Sequence, residues 1–144
     1  MNRLGFAILT ILCVLNLAAM RESEKVTCHV QLIRGTDQQP IGNVKLAGPK
    51  LTKKLSSFRW KNYWEVNRQT VSLSRAQTTK VKLSDSRDVH LSLLNASEVE
   101  IKVYRANQLT QKCRQSIQEK MAIVGGEREK DEAWFVVVRP DKPD

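Results

Sequence analysis

The chain of 144 residues is 41% hydrophobic and 27% charged, with six Gly and four Pro, a composition that excludes collagen-like, low-complexity and wholly disordered chains and leaves room for one ordinary domain. Lys and Arg (24) outnumber Asp and Glu (15), giving a net charge of +9. Two His and three Cys leave little material for a metal centre or a cysteine-rich scaffold.

The first element is a targeting segment. A short basic start, Met1-Asn2-Arg3, precedes a charge-free run from Leu4 to Met20, the layout of a secretory signal, and the small residues Ala18 and Ala19 offer a cleavage site after Ala19. Residues 1–19 are therefore read as a signal peptide and residues 20–144 as a single exported domain, periplasmic or secreted. An uncleaved N-terminal anchor is the alternative, because these 17 uncharged residues, polar only at Thr10 and Asn16, at about 1.5 Å each approach a hydrocarbon core of roughly 30 Å. Cleavage removes Cys13 and leaves Cys28 and Cys113, which an oxidising compartment is expected to join. The loop so closed, from 28 to 113, stabilises a domain by about 4 to 4.6 kcal/mol in the chain-entropy model.

From Lys25 onward the dominant signal is period two, the mark of half-buried strands. Apolar side chains alternate at Val26, Cys28, Val30 and Leu32, at Val44 and Leu46, at Val71 and Leu73, and at Val81 and Leu83. They do so again at Val89, Leu91 and Leu93, and at Val99, Ile101 and Val103. Gly35-Thr36-Asp37, Ser84-Asp85-Ser86, Asn95-Ala96-Ser97 and Ala106-Asn107-Gln108 separate these runs as turns. Met121 to Val124 leads to Gly125-Gly126, read as a hairpin turn, then to a charged loop, Glu127 to Glu132. The run Trp134-Phe135-Val136-Val137-Val138 is apolar on both faces and predicts a central strand covered on both sides. The tail Pro140 to Asp144 is marked as low in order. One stretch has a different period: Leu51, Leu55 and Phe58 lie four and three apart behind Pro49, which predicts a short amphipathic helix. The fold class that follows is all-β, an antiparallel sandwich or barrel with one short helix.

Chemistry is sparsely signalled. The chain lacks G-x-S-x-G, and His29 and His90 both fall opposite the apolar face of their strands, where solvated histidine is the common case. Asp88 and His90 share a strand face at i, i+2, but a third ligand at similar spacing is missing, so no metal site is assigned and no cofactor is expected. Asp37, Asp85, Asp88 and Asp131 could supply paired carboxylates for hydrolysis, although turn formation explains Asp equally well. Gly125-Gly126 lacks the continuation of a phosphate loop.

The compositional focus is Lys50 to Trp64. It holds the cations Lys50, Lys53, Lys54, Arg59 and Lys61 and the rings Trp60, Tyr63 and Trp64, the mixture that holds a charged polymer while stacking on flat groups. The competing explanation is structural, with aromatics turned to the core and lysines left in water. Export argues against nucleic acid, so an anionic envelope polymer, the membrane surface or a protein partner in the envelope is expected. The functional expectation is a non-enzymatic binding or assembly module of undetermined oligomeric state. A small envelope hydrolase using surface carboxylates, or a structural subunit of an envelope assembly, are the alternatives.

The run Trp60-Lys61-Asn62-Tyr63-Trp64-Glu65-Val66-Asn67, with Met121-Ala122-Ile123-Val124-Gly125-Gly126 and Ala133-Trp134-Phe135-Val136-Val137-Val138, resembles segments of a group of short exported bacterial proteins without an assigned activity. The resemblance implies a bacterial, exported chain and transfers no functional residue. It also implies that Asn95-Ala96-Ser97 is a bare turn and not a glycan acceptor.

Overall fold

The alternating apolar pattern becomes, among the residues described, nine strands and one helix. The computed structural model describes residues 25–40, 42–116, 118 and 120–144; the signal peptide and cleavage site expected from the sequence fall outside them. In chain order the elements are β1 (Lys25–Thr36), β2 (Lys45–Leu46), α1 (Pro49–Leu55) with a 3-10 turn (Ser56–Phe58), β3 (Asn62–Ser74), β4 (Thr78–Lys82), β5 (Arg87–Leu93), β6 (Glu98–Arg105), β7 (Gln108–Ser116), β8 (Ala122–Glu129) and β9 (Glu132–Arg139). They form two antiparallel sheets, a five-stranded one in the order β2-β3-β1-β9-β8 and a four-stranded one in the order β4-β5-β6-β7. The sheets are stacked and do not close into a barrel. The expected all-β fold with one short helix is therefore what forms, and of the two closures offered it is the sandwich.

Because successive strand residues face opposite sides, the apolar alternations other than Val44 and Leu46 deliver the walls of the core. Cys28, Val30 and Leu32 from β1, Leu73 from β3 and Val136 and Val138 from β9 meet Val81, Val89, Leu91, Leu93, Val99 and Ile101 from the second sheet. The other face of the five-stranded sheet is covered too. Ile33, Tyr63, Ala133, Phe135 and Val137 pack there against Leu51 and Leu55 of α1. This second cluster explains why the run from Trp134 to Val138 is apolar on both faces: β9 lies between β1 and β8 with a core on each side.

A bulge in β3 sorts the aromatic residues between these two faces. The register pairs Leu32 with Asn67 but Ile33 with Glu65, leaving Val66 as the extra residue. Paired residues share a face, so Trp64, opposite Arg34, lies on the face toward the second sheet, while Tyr63, opposite Gly35, lies under α1. Without the extra residue the parity of both would reverse.

Several expectations need correction. Cys28 and Cys113 are free thiols, not a disulfide. Cys28 lies in the middle of the five-stranded sheet and Cys113 on the edge strand of the other, and both pack as small apolar side chains in the sandwich core. Gly35 and Thr36 are not a turn but the end of β1; Gly35 stays in the strand because a ring fills the place of its missing side chain, a Cβ there meeting Trp60 Cδ1 at 2.7 Å. Gly125 and Gly126 form a bulge inside β8, with φ of 108° and 93°, so the hairpin turns at Lys130 and Asp131 and most of the charged loop is strand. The tail is held: Arg139 bonds Asp141, Arg68 bonds the carbonyl oxygens of Pro143 and Asp144, and Pro143 is buried. Leu46, expected to point inward, is 58% exposed.

Candidate binding site

The segment from Lys50 to Trp64 starts on a helix whose placement is dictated by two leucines. Pro49 occupies the first turn behind Gly48, and Leu51 and Leu55, at i and i+4, are buried against the outer face of the five-stranded sheet. That docking turns Lys50, Lys53 and Lys54 to solvent. Lys53 and Lys54 occupy the last turn, where cations are favoured by the helix dipole. Arg59 ends the 3-10 turn in the left-handed region (φ 64°) and reverses the chain into β3.

The three rings separate. Tyr63 is buried; its hydroxyl donates to the Leu55 carbonyl at 2.8 Å and accepts the Trp60 N–H at 3.2 Å, locking the helix end to the strand. Burial pushes its phenol pKa upward, the Trp60 N–H opposes this, and the Asp37 carboxylate adds a further small rise. Trp60 is half-buried against Gly35, with the Arg128 guanidinium 5.2 Å from the ring centre. Trp64 passes to the opposite face of the sheet. Of the expected ring trio, then, Tyr63 belongs to the core, Trp60 to the rim of the α1 face and Trp64 to a different surface. Phe58, which sequence reading treated only as a helix anchor, is 42% exposed and packs edge-on to Phe135 at 4.8 Å.

The cations also divide. Lys50 is committed to Asp141, Nζ to Oδ2 at 2.9 Å. Lys53, Lys54, Arg59 and Lys61 are exposed and make no ion pair among the described residues; the Lys61 backbone N–H, not its amine, contacts Asp37. The outer face of the four-stranded sheet is partly compensated: Glu100 lies within 3.6–3.7 Å of Lys102, Lys112 and Arg114, while Lys80 and Lys82 make no ion pair among the described residues. Field strength follows uncompensated charge, so the α1 face is the more positive of the two despite similar numbers of lysines. Arg128, beside Trp60, extends it.

The carboxylates and histidines of the alternative chemistries are dispersed. Asp37 and Asp131 sit at one end of the five-stranded sheet, while Asp85 and Asp88 belong to the turn and strand on the other sheet. His29 bonds Thr70 Oγ1 at 3.0 Å. His90 stacks on Tyr104 with centroids 4.2 Å apart, and its pKa is lowered by burial first and by Lys80 second. Among the described residues no three His, Cys, Asp or Glu side chains converge as metal ligands.

Sequence reading missed a concave region at the end of the five-stranded sheet. Arg34 is flanked in register by Trp64 on β3 and Trp134 on β9, a row of three on the face toward the second sheet. Pro40, Val44 and Val66 complete a cavity of about 150 Å3 over this row. Glu132 accepts from Arg34 Nε and, at 3.1 Å, from Trp134 Nε1, and the Arg87 guanidinium lies 4.2 Å over the Trp134 ring. The signal for this site was the isolated polar Arg34 between apolar strands, legible only once the partners of β1 are known. Comparison with protein-family models, curated proteins and solved structures finds no match to this chain.

Proposed function

We propose that this protein is an exported, non-enzymatic binding module that holds an anionic envelope polymer on the face formed by α1 and the turn into β3. The observation that carries this reading is the absence of ion-pair partners, among the described residues, for Lys53, Lys54, Arg59 and Lys61, where Lys50 and the lysines around Glu100 are paired. Four cations within nine residues, beside an exposed Phe58 and a half-buried Trp60, supply attraction and a flat apolar contact together. Compared with the segment read from sequence, Lys50 leaves the binding set because Asp141 holds it, and Tyr63 leaves because it is buried.

The test is binding of the mature chain to an acidic polysaccharide, with anionic vesicles as a parallel arm, across a range of salt concentrations. Replacing Lys53, Lys54, Arg59 and Lys61 together by Gln should weaken binding about tenfold or more, since a cation near an anionic surface contributes about 1 kcal/mol. A control of equal charge change, Lys80, Lys82, Lys102 and Lys112 to Gln, should weaken it much less. Equal losses would assign the affinity to net charge and overturn the site; preference for vesicles over polysaccharide would overturn the polymer.

A further inference from the structure

We propose that the Trp64–Arg34–Trp134 cleft binds one six-membered sugar ring bearing a carboxylate, and so reads a unit of the anionic polymer held by the α1 face. The inference rests on that reading for its polymer and on the cleft's own chemistry for the ring. Directly paired residues of antiparallel neighbours lie about 5 Å apart, so the two Trp positions are separated by about 10 Å across Arg34. The cavity they bound, about 150 Å3, is open to the surface, so a ring larger than the benzene that an enclosed cavity of this volume admits can seat one edge in it.

The polar groups decide what kind of ring. Trp64 Nε1 is a buried donor with no hydrogen-bond partner among the described residues, a state that costs free energy until an acceptor is supplied. Arg34 is tied to Glu132 through Nε alone; its two terminal nitrogens make no hydrogen bond among the described residues and can grip a carboxylate with two parallel bonds. Glu132 holds both Arg34 and the Trp134 indole, so guanidinium and ring are positioned before a ligand arrives. A wholly apolar ring would leave the Trp64 donor unpaired, whereas a pyranose offers oxygen acceptors at its edge and C–H groups to the electron-rich indole faces.

Position connects the two sites. Lys61 and Asn62 open β3 at the end where β1 finishes at Thr36, with the Lys61 N–H on Asp37 at 2.9 Å and Asn62 in register with Thr36. Arg34 and Trp64 lie two residues further in, roughly 7 Å along the strands. A polymer crossing the α1 face past Arg59 and Lys61 can therefore pass over this rim and place one unit in the cleft.

The experiment is a titration of the mature protein, followed by the indole N–H resonances of its three Trp in two-dimensional NMR, with a trimer of galacturonate as the probe. The Trp64 and Trp134 signals should shift and saturate. Trp64→Phe, which keeps a ring and removes the donor, should weaken affinity about tenfold, the scale of one hydrogen bond to a charged or polar ligand group; Arg34→Gln should weaken it at least as much. A neutral trimer of the same length should bind at least tenfold more weakly, and the Gln quadruple at Lys53, Lys54, Arg59 and Lys61 should lose polysaccharide binding while keeping trimer affinity within about threefold. Unmoved Trp64 and Trp134 signals, equal binding of the neutral trimer, or saturable shifts with a proline-rich peptide in place of the trimer would overturn the cleft assignment. Because the titration uses the unsubstituted chain, it stands even if Arg34→Gln does not fold. Loss of polysaccharide binding by the quadruple with no trimer shift would leave the α1 reading standing and sink this one alone.

Discussion

Cys28 is fully buried and its thiol is pushed up to about 12 by burial; Cys113 is raised by burial as well, from a half-buried position. Since the thiolate is the reactive form, mass-resolved alkylation of the native protein at pH 8 should label Cys113 slowly and leave Cys28 untouched until denaturant is added. Equal labelling of both in the native state would show that Cys28 is not where the sandwich places it. Cys28→Ser puts a hydroxyl into an apolar wall and should cost about 1–3 kcal/mol. Gly35→Ala should be comparably harmful, about 1–3 kcal/mol by thermal or denaturant unfolding, because the new methyl would overlap Trp60. Asp141 gives a pH signature. Its carboxyl is held well below the usual carboxylate range, chiefly by the hydrogen bond to Arg139 and further by Lys50, against the opposing effect of burial. A depressed acid contributes stability that is complete above its unfolded pKa of about 4 and is lost as pH falls through the folded value. The melting temperature should therefore decline below about pH 4, and Asp141→Asn should flatten that acid limb while lowering stability at neutral pH, where it leaves the buried Arg139 without a carboxylate.

Helix α1 has seven residues, too few to be stable alone, so it exists because Leu51 and Leu55 are buried on β9 and β1. Leu55→Ala should cost about 2–5 kcal/mol and, by loosening the seat of the helix on the sheet while leaving the backbone carbonyl that accepts from Tyr63, should weaken polymer binding without removing a cation. An unchanged affinity in a folded Leu55→Ala variant would show that the helix only displays charge and does not position it. The helix was legible because its period and its Pro49 are local. So were most strands, whose alternation survives on both sides of the sandwich. Strand β7 was not: Gln111, Cys113 and Gln115 face inward at an edge, so its alternation is polar against charged and carries no hydrophobic signal. The fate of the rings was not legible either. Trp60, Tyr63 and Trp64 are close in sequence, but the extra residue at Val66, visible only as a register shift against β1, decides that Trp64 takes the face toward the second sheet and Tyr63 the face under α1. The same holds at Gly125-Gly126, where a glycine pair marks either a turn or a bulge, and the partner strand decides which. Edge strand β7 carries Lys112 and Arg114 on its outer face, a common protection against pairing with a second chain. Replacing both by Val should produce concentration-dependent association by light scattering.

At the level of the whole molecule, the strand that unites the two cores is the last of the described strands. β9 supplies Val136 and Val138 to the sandwich core and Ala133, Phe135 and Val137 to the layer under α1, and it pairs with the first described strand, His29 opposite Arg139 and Thr36 opposite Glu132. The four-stranded sheet, by contrast, is a meander of neighbours in sequence joined by short turns. Local pairings close small loops and long-range ones close large loops, so the meander has the cheaper entropy of formation and the five-stranded sheet sets the rate. Refolding from denaturant should accordingly take milliseconds to seconds, with the Trp134 environment, beside Arg87 and Glu132, reporting the late step. A chain ending at Lys130 keeps every strand of the meander but lacks β9, so β1 loses one ladder and β8 loses the one strand it pairs with among the described residues. The remaining apolar walls cannot then be covered. Such a chain should show β-sheet circular dichroism without a cooperative thermal transition and should bind a hydrophobic dye, whereas Val138→Ala in the full chain should unfold cooperatively at a lower temperature. A sharp transition in the shortened chain would mean that the four-stranded sheet is a folding unit by itself and that β9 is an addition to it, not the element that joins the two cores.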